Sequence, residues 1–314
     1  METVRIVGDS DSSLHDIYEL CNSRIMVRKA KIKTKKGGDP VKILHFTDLH
    51  LNKMSDRDFE EKEPSVMSTR QYRMAFRNES TVSNAEKSLE LVPFFDKTVI
   101  TGDIVDYLTW GSLDLVKEMI WDKYPDILMP LGGHDYTRCM EGDIDDLTSE
   151  ESRLDILKEY WKHDLFYTSE IIKDKVMIVA MLNDMTYFDF QVEKLEQDIK
   201  VARDNDLTIL IFQHEPICTK NEKEKNLKAI RVNDRASSSI DFYTRFHGSE
   251  KSSKASKAMH SLITESADVI KGIFCGHLHS DYYTEVIAGD TIIPQYVLTG
   301  NMYDEGHIMI IEAE

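Results

Sequence analysis

Cysteine is scarce in this chain of 314 residues: only Cys21, Cys139, Cys218 and Cys275 occur, and no two form a CxxC pair. A disulfide framework is therefore not expected, whereas buried or incidental free thiols are. No run of about eighteen apolar residues occurs, so no transmembrane helix is expected. The opening Met1-Glu-Thr-Val-Arg-Ile-Val-Gly8 lacks the basic and then apolar segments of a secretory signal. Together these absences predict a cytoplasmic protein. Positive charge is also in deficit: 39 Lys and Arg face 56 Asp and Glu, a net charge of −17. Non-specific binding to nucleic acid or to an anionic membrane needs a basic face, so neither is an expected partner. Bound cations would offset part of the acidity. Internal repeats, low-complexity tracts and a clear linker are absent too, which predicts one domain.

What is present is a repeat of strand, polar end and helix. Residues 41–47 read as an apolar strand that runs into Asp48-Leu-His50. Lys97–Thr101 runs into Gly102-Asp-Ile-Val-Asp106, and Asp126–Leu131 into Gly132-Gly-His-Asp135. Leu207–Phe212 leads to Gln213-His-Glu-Pro216, and Val269–Cys275 to Gly276-His-Leu-His279. Helical spacing links these strands at Val82, Ala85, Leu89 and Val92, then at Leu113, Val116 and Ile120. It returns at Val192, Leu195, Ile199 and Ala202, and over Ala255–Ala267. Leu165–Ile172 and Val176–Asn183 read as two strands joined by Lys173-Asp-Lys175. The tail reads as antiparallel strands: Asp281–Ile287 and Thr291–Leu298 flank a hairpin signal at Ala288-Gly-Asp290, and Gly306–Glu312 follows. The pattern predicts an α/β fold, in which ligands gather at the carboxyl ends of strands.

Those ends collect Asp48, His50, Asp103, His134, His214, His277 and His279. Carboxylates mixed with imidazoles suit Mn, Fe or Zn, whereas an all-oxygen set suits Mg or Ca. Residues i and i+2 of an extended chain face the same side, so Asp48 with His50, and His277 with His279, can each point one way. Gly102 and Gly276 allow a tight turn just before the polar residue. A single histidine after an apolar strand is usually structural. The ordered series DxH, GDxxD, GxHD, lone His and GHxH is much more specific.

In these motifs the chain resembles the calcineurin-like metallophosphoesterases, over about residues 41–312. The resemblance implies two packed mixed β-sheets flanked by helices, with a centre of two divalent metal ions. It implies that Asp48, His50, Asp103 and His279 hold the first ion. Asp103 then bridges to a second ion, held also by His214 and His277. His134 becomes the candidate general acid, with Asp135 to orient it or raise its pKa, and Asp106 a supporting residue behind a ligand or loop. The family's third motif is usually Gly-Asn-His, and its Asn is a ligand of the second ion. Here that position is Gly133, which has no side-chain donor.

The function implied is hydrolysis of a small phosphate ester, a monoester or a diester such as a nucleotide or cyclic nucleotide, by water that the two ions activate. The absence of a Ser-His-Asp or reactive-Cys signature agrees with this. The alternative is a metal-binding or interaction module of the same fold with weakened catalysis, for which Gly133 is the support. A nuclease is disfavoured by the acidity. Residues 1–40 read as an N-terminal appendage packed on the core, with a capping-box-like Ser13-x-x-Asp16 and a strand over Arg24–Lys33 added to a sheet edge. Residues 41–314 read as a single metallophosphoesterase-like domain. Residues 52–79, with Arg70, Arg73 and Arg77, and the insertion 219–254, with Arg231, Arg235, Arg245 and His247, are either rims and lids of the site or solvated loops.

Overall fold

The computed structural model describes residues 25–61, 80–136, 150–183, 186–217, 253–279, 281–302 and 306–314. The helix expected from Ser13, the arginines of 70–77 and residues 219–252 of the long insertion lie outside the described residues. The strands are β1 Ile25–Ile32, β2 Val41–Phe46, β3 Lys97–Ile100, β4 Tyr167–Ile172 and β5 Val176–Met181. They continue with β6 Thr208–Phe212, β7 Ile270–Cys275, β8 Tyr282–Ala288, β9 Thr291–Val297 and β10 Gly306–Ala313. One sheet has the order β1-β10-β2-β3 and the other β4-β5-β6-β7-β9-β8, both mixed.

Period-2 alternation explains why the two sheets stack. Val176, Ile178 and Ala180 of β5 enter the core between the sheets, and Met177, Val179 and Met181 face helices on the other side. On β2, Ile43 joins the inter-sheet core, while Leu44 and Phe46 face outward to the helices beside the first sheet. Strands covered on both faces are apolar throughout, and β5 and β6 are buried at every position. Near the site end of the inter-sheet core, the rings of Phe212 and Phe274 stack at 5.0 Å, and Tyr296 stacks on Phe274 at 5.2 Å. His45 meets both phenylalanines edge-on.

The helices follow the expected faces. Residues 80–89 are helical with Ala85 and Leu89 buried, and the helix Asp189–Asp204 buries Leu195, Ile199 and Ala202. Val92 falls instead in a short 3-10 turn with Pro93. Leu113, Val116 and Ile120 are buried along Trp110–Val116 and the wider turn Lys117–Trp121. No described helix is long and apolar enough to cross a membrane.

Two expectations need correction. Asp126–Leu131 is not a strand: only Leu128 bridges, to Val99, with Leu128 N donating to Thr98 O and Ile100 N to Leu128 O. The next donor in that ladder would be Pro130, which has no N–H. The tail is antiparallel only in part: β8 and β9 form the expected hairpin, but the last strand does not join them. β9 runs parallel to β7 and antiparallel to β8, whereas β10 leaves for the other sheet, parallel to β1 and antiparallel to β2. β1 is an edge strand paired over its whole length with β10.

Truncating Phe274 to Ala in this stack should cost about 3–5 kcal/mol. Urea unfolding should show a lower midpoint at unchanged slope. A loss under about 1 kcal/mol would contradict a tightly packed inter-sheet core.

Candidate metal centre

β2 and β3 run parallel in one sheet, and β6 and β7 run parallel in the other. Their carboxyl ends meet at one edge of the sandwich. Asp48 N donates to Gly102 O, and His50 N to Asp103 O, which ties the ends of β2 and β3. Gly276 N donates to His214 O, which ties the ends of β6 and β7. The sheets are then joined directly, because His277 N donates to Asp48 Oδ2 and His214 Nδ1 to Thr101 O, at 3.1 and 2.8 Å.

Here the backbone takes conformations that side chains rarely adopt. Asp48, His50, Asp103, His277 and His279 have φ of 51°, 46°, 49°, 70° and 53°. Asp and His tolerate this left-handed region better than most residues, yet each such residue costs on the order of 1–3 kcal/mol. Strain of this kind persists only where surrounding contacts over-determine it. Gly102 also has positive φ, 73°, so the expected turn is present there. Gly276 serves close approach instead: a Cβ on it would collide with Thr47 Oγ1 and Asp48 Oδ2.

Three groups of donor atoms result among the described residues: Asp48, His50, Asp103 and His279; Asp103, His214 and His277; and His50, Asp106 and His134. Within each group all atoms lie within 4.8 Å of one another, and Asp103 belongs to the first two. His279 Nε2 lies 3.0 Å from Asp48 Oδ1, and His214 Nε2 3.1 Å from Asp103 Oδ2. His50 Nε2 lies 3.8 Å from Asp48 Oδ1 and 3.7 Å from Asp103 Oδ2. Asp48 Oδ1 and His214 Nε2 are buried and meet these partners as ion pairs without hydrogen-bond geometry. Buried polar atoms without a hydrogen bond are costly, and a cation between these groups would satisfy them. The donor set therefore fits divalent metal ions.

Residues 41–281 match the family model described as calcineurin-like phosphoesterase. The chain belongs to this family. Among solved structures, a dimetal phosphatase from Danio rerio is similar with a TM-score of 0.48 and 11% identity, over 84% of this chain and 89% of that chain. No curated protein matches the sequence.

Around this centre the supporting residues divide differently from expectation. Asp135 does not orient His134. Its Oδ1 accepts from Ile104 N and Val105 N, and its Oδ2 from Gly132 N, at 2.8–3.0 Å. It is a staple between two loops, with both oxygens committed to backbone donors. The residue beside His134 is Asp106. His134 Nδ1 donates to Asp106 O at 2.9 Å, and Asp106 Oδ1 lies 3.1 Å from His50 Nδ1. Asp106 thus holds His50 through its side chain and His134 through its carbonyl. His134 N also donates to Asp103 Oδ1, and Gly133 opens the short helix Gly133–Tyr136. Thr101 and Thr47 were not legible as site residues. Thr47 Oγ1 lies 2.7 Å from both Asp48 Oδ2 and Thr101 O. A short polar residue flanking each motif is the only signal, and it is weak.

Electrostatics separates the imidazoles. Burial disfavours charge on Asp48 and Asp103, but His279 beside Asp48 and His214 beside Asp103 outweigh it and hold both well below the usual carboxylate range. Burial also opposes charge on His50, where Asp106, Asp48 and Asp103 prevail and raise it to about 9. His214 is raised well above its ordinary value by Asp103, against burial. Burial wins at His134 and His277, which fall to about 4 and about 3. Burial, then the nearby Asp103, pushes Asp135 up to about 7.

A cation must displace the protons held by His50 and His214. In the cation-free protein the raised pKa of His50 gives stability that is full below its ordinary 6.5 and lost as pH rises through about 9. Apparent cation affinity should therefore climb as pH rises toward about 9, and binding near neutrality should release protons. Titration calorimetry in buffers of different ionisation enthalpy reads that release directly. Identical heats in all buffers would contradict it.

Proposed function

We propose that this chain is a metal-dependent phosphoric ester hydrolase working with two divalent ions of Mn, Fe or Zn. The observation that carries this reading is the pair of donor groups sharing Asp103. Asp48, His50, Asp103 and His279 would hold one ion, and Asp103, His214 and His277 the other. Two such ions supply Lewis acidity toward phosphoryl oxygens and lower the pKa of water at neutral pH. The substrate is a small phosphate ester, a monoester or a diester, nucleotides and cyclic nucleotides among them. Polyanionic nucleic acid suits a chain of net charge −17 poorly.

The chain's own residues supply positioning and a proton. His134 Nδ1–H is committed to Asp106 O, so Nε2 is the atom that faces a proton transfer. Burial keeps the ring neutral. The negative charge of a bound phosphate favours the imidazolium, and Nε2–H can then protonate the leaving oxygen. Asp106 keeps His134 and His50 aligned, and fixed alignment is itself a large part of such catalysis.

Gly133 favours a second reading, a module of this fold with weakened catalysis, because the second donor group has three residues and no amide oxygen from this position. Elemental analysis beside hydrolysis of an aryl phosphate monoester and diester, with Mn added, separates the two. Two ions with turnover support the hydrolase. One ion without turnover, in wild type and in Gly133→Asn alike, supports the module. His134→Ala should lower turnover about 100- to 10,000-fold with ion content unchanged. Equal loss of both would place His134 among the ion-binding residues.

A further inference from the structure

The histidines of the centre show how each ring is fixed. His50 turns Nε2 to the carboxylates and Nδ1 to Asp106 Oδ1. His214 turns Nε2 to Asp103 and Nδ1 to Thr101 O. A histidine that holds a metal ion through one nitrogen usually commits the other to a carboxylate or carbonyl, which sets its tautomer and orientation. His277 reverses the order. Its Nε2 lies 3.9 Å from Glu215 Oε1, and the Glu215 side chain is only 4% exposed. A ring that turns Nε2 toward Glu215 presents Nδ1 as its other donor atom.

We infer that Glu215 is a positioning residue that fixes His277 as an Nδ1 ligand of the second ion, and so supports the site that lacks an amide donor at Gly133. The inference rests on the two-ion reading above. The distance is an ion-pair contact rather than a hydrogen bond.

The root of Glu215 is held unusually firmly for a residue outside a strand. Glu215 N donates to Asn183 Oδ1 at 2.9 Å, and Asn183 Nδ2 donates back to Glu215 O at 2.7 Å. Gln213 Nε2 donates to the same carbonyl, and Tyr187 OH donates to Gln213 Oε1. Two residues on, Gln295 makes the same two-point clamp on Ile217 N and Ile217 O, at 2.7 and 2.9 Å. Asn183, Gln213 and Gln295 are all buried. Side-chain amides thus replace the ladder where β6 ends, and they fix the direction from which the carboxylate meets His277. A carboxylate behind a ligand imidazole makes it a stronger donor, and that offsets a missing oxygen.

Two measurements test this. In the Zn-loaded wild type, long-range 15N–1H spectra of labelled histidine should show His277 protonated at Nε2 and metal-bound at Nδ1. The opposite tautomer would overturn the inference without any variant. Mn titration of Glu215→Ala should weaken the second ion about 10- to 100-fold and leave the first unchanged. Glu215→Gln keeps the shape without the charge and should fall between Ala and wild type. Two ions of wild-type affinity in both variants would sink the role of Glu215 alone. A wild type that binds only one ion would sink the two-ion reading and this inference with it.

Discussion

The carboxylate of Asp103 is the constraint on which the rest depends. It is buried, it lies in both donor groups, and its oxygens meet His214 Nε2 and His134 N. A charge buried this way is tolerated only with opposite charge close by. Imidazolium protons can provide it in the cation-free protein, and divalent ions can provide more. The demand for positive charge at one point explains why histidines from four separate chain segments gather there.

The two sheets make that gathering possible. β2 and β3 bring Asp48, His50 and Asp103 from one side, and β6 and β7 bring His214, His277 and His279 from the other. The inter-sheet core of Phe212, Phe274 and their neighbours sets the distance between the two halves. Left-handed backbone at five of these residues then aims the side chains inward. That strain is a cost to folding, held in place by Asp135, Asn183 and Gln295, which bind backbone groups of the site loops, and by the Thr101 carbonyl, which accepts from His214 Nδ1.

Much of this was legible because the motifs are local. An apolar strand, a glycine and a polar end can be read within ten residues, and Asp48, His50, Asp103, His214, His277 and His279 come together in the structure as two groups. What was not legible depends on contacts between distant segments. Nothing near Gly306–Ala313 announces that β10 returns to the first sheet between β1 and β2. Asp135 follows His134 in sequence, yet its side chain turns away to three backbone donors, and Asp106, 28 residues earlier, takes the place beside the ring. Glu215 follows His214 directly, but that adjacency gives no hint that it faces His277.

The most direct test of the shared carboxylate is anomalous diffraction from crystals grown with Mn. Two peaks about 3.5–4 Å apart, one on each side of Asp103, are the predicted result. A single peak, or two that do not share Asp103, would contradict the account.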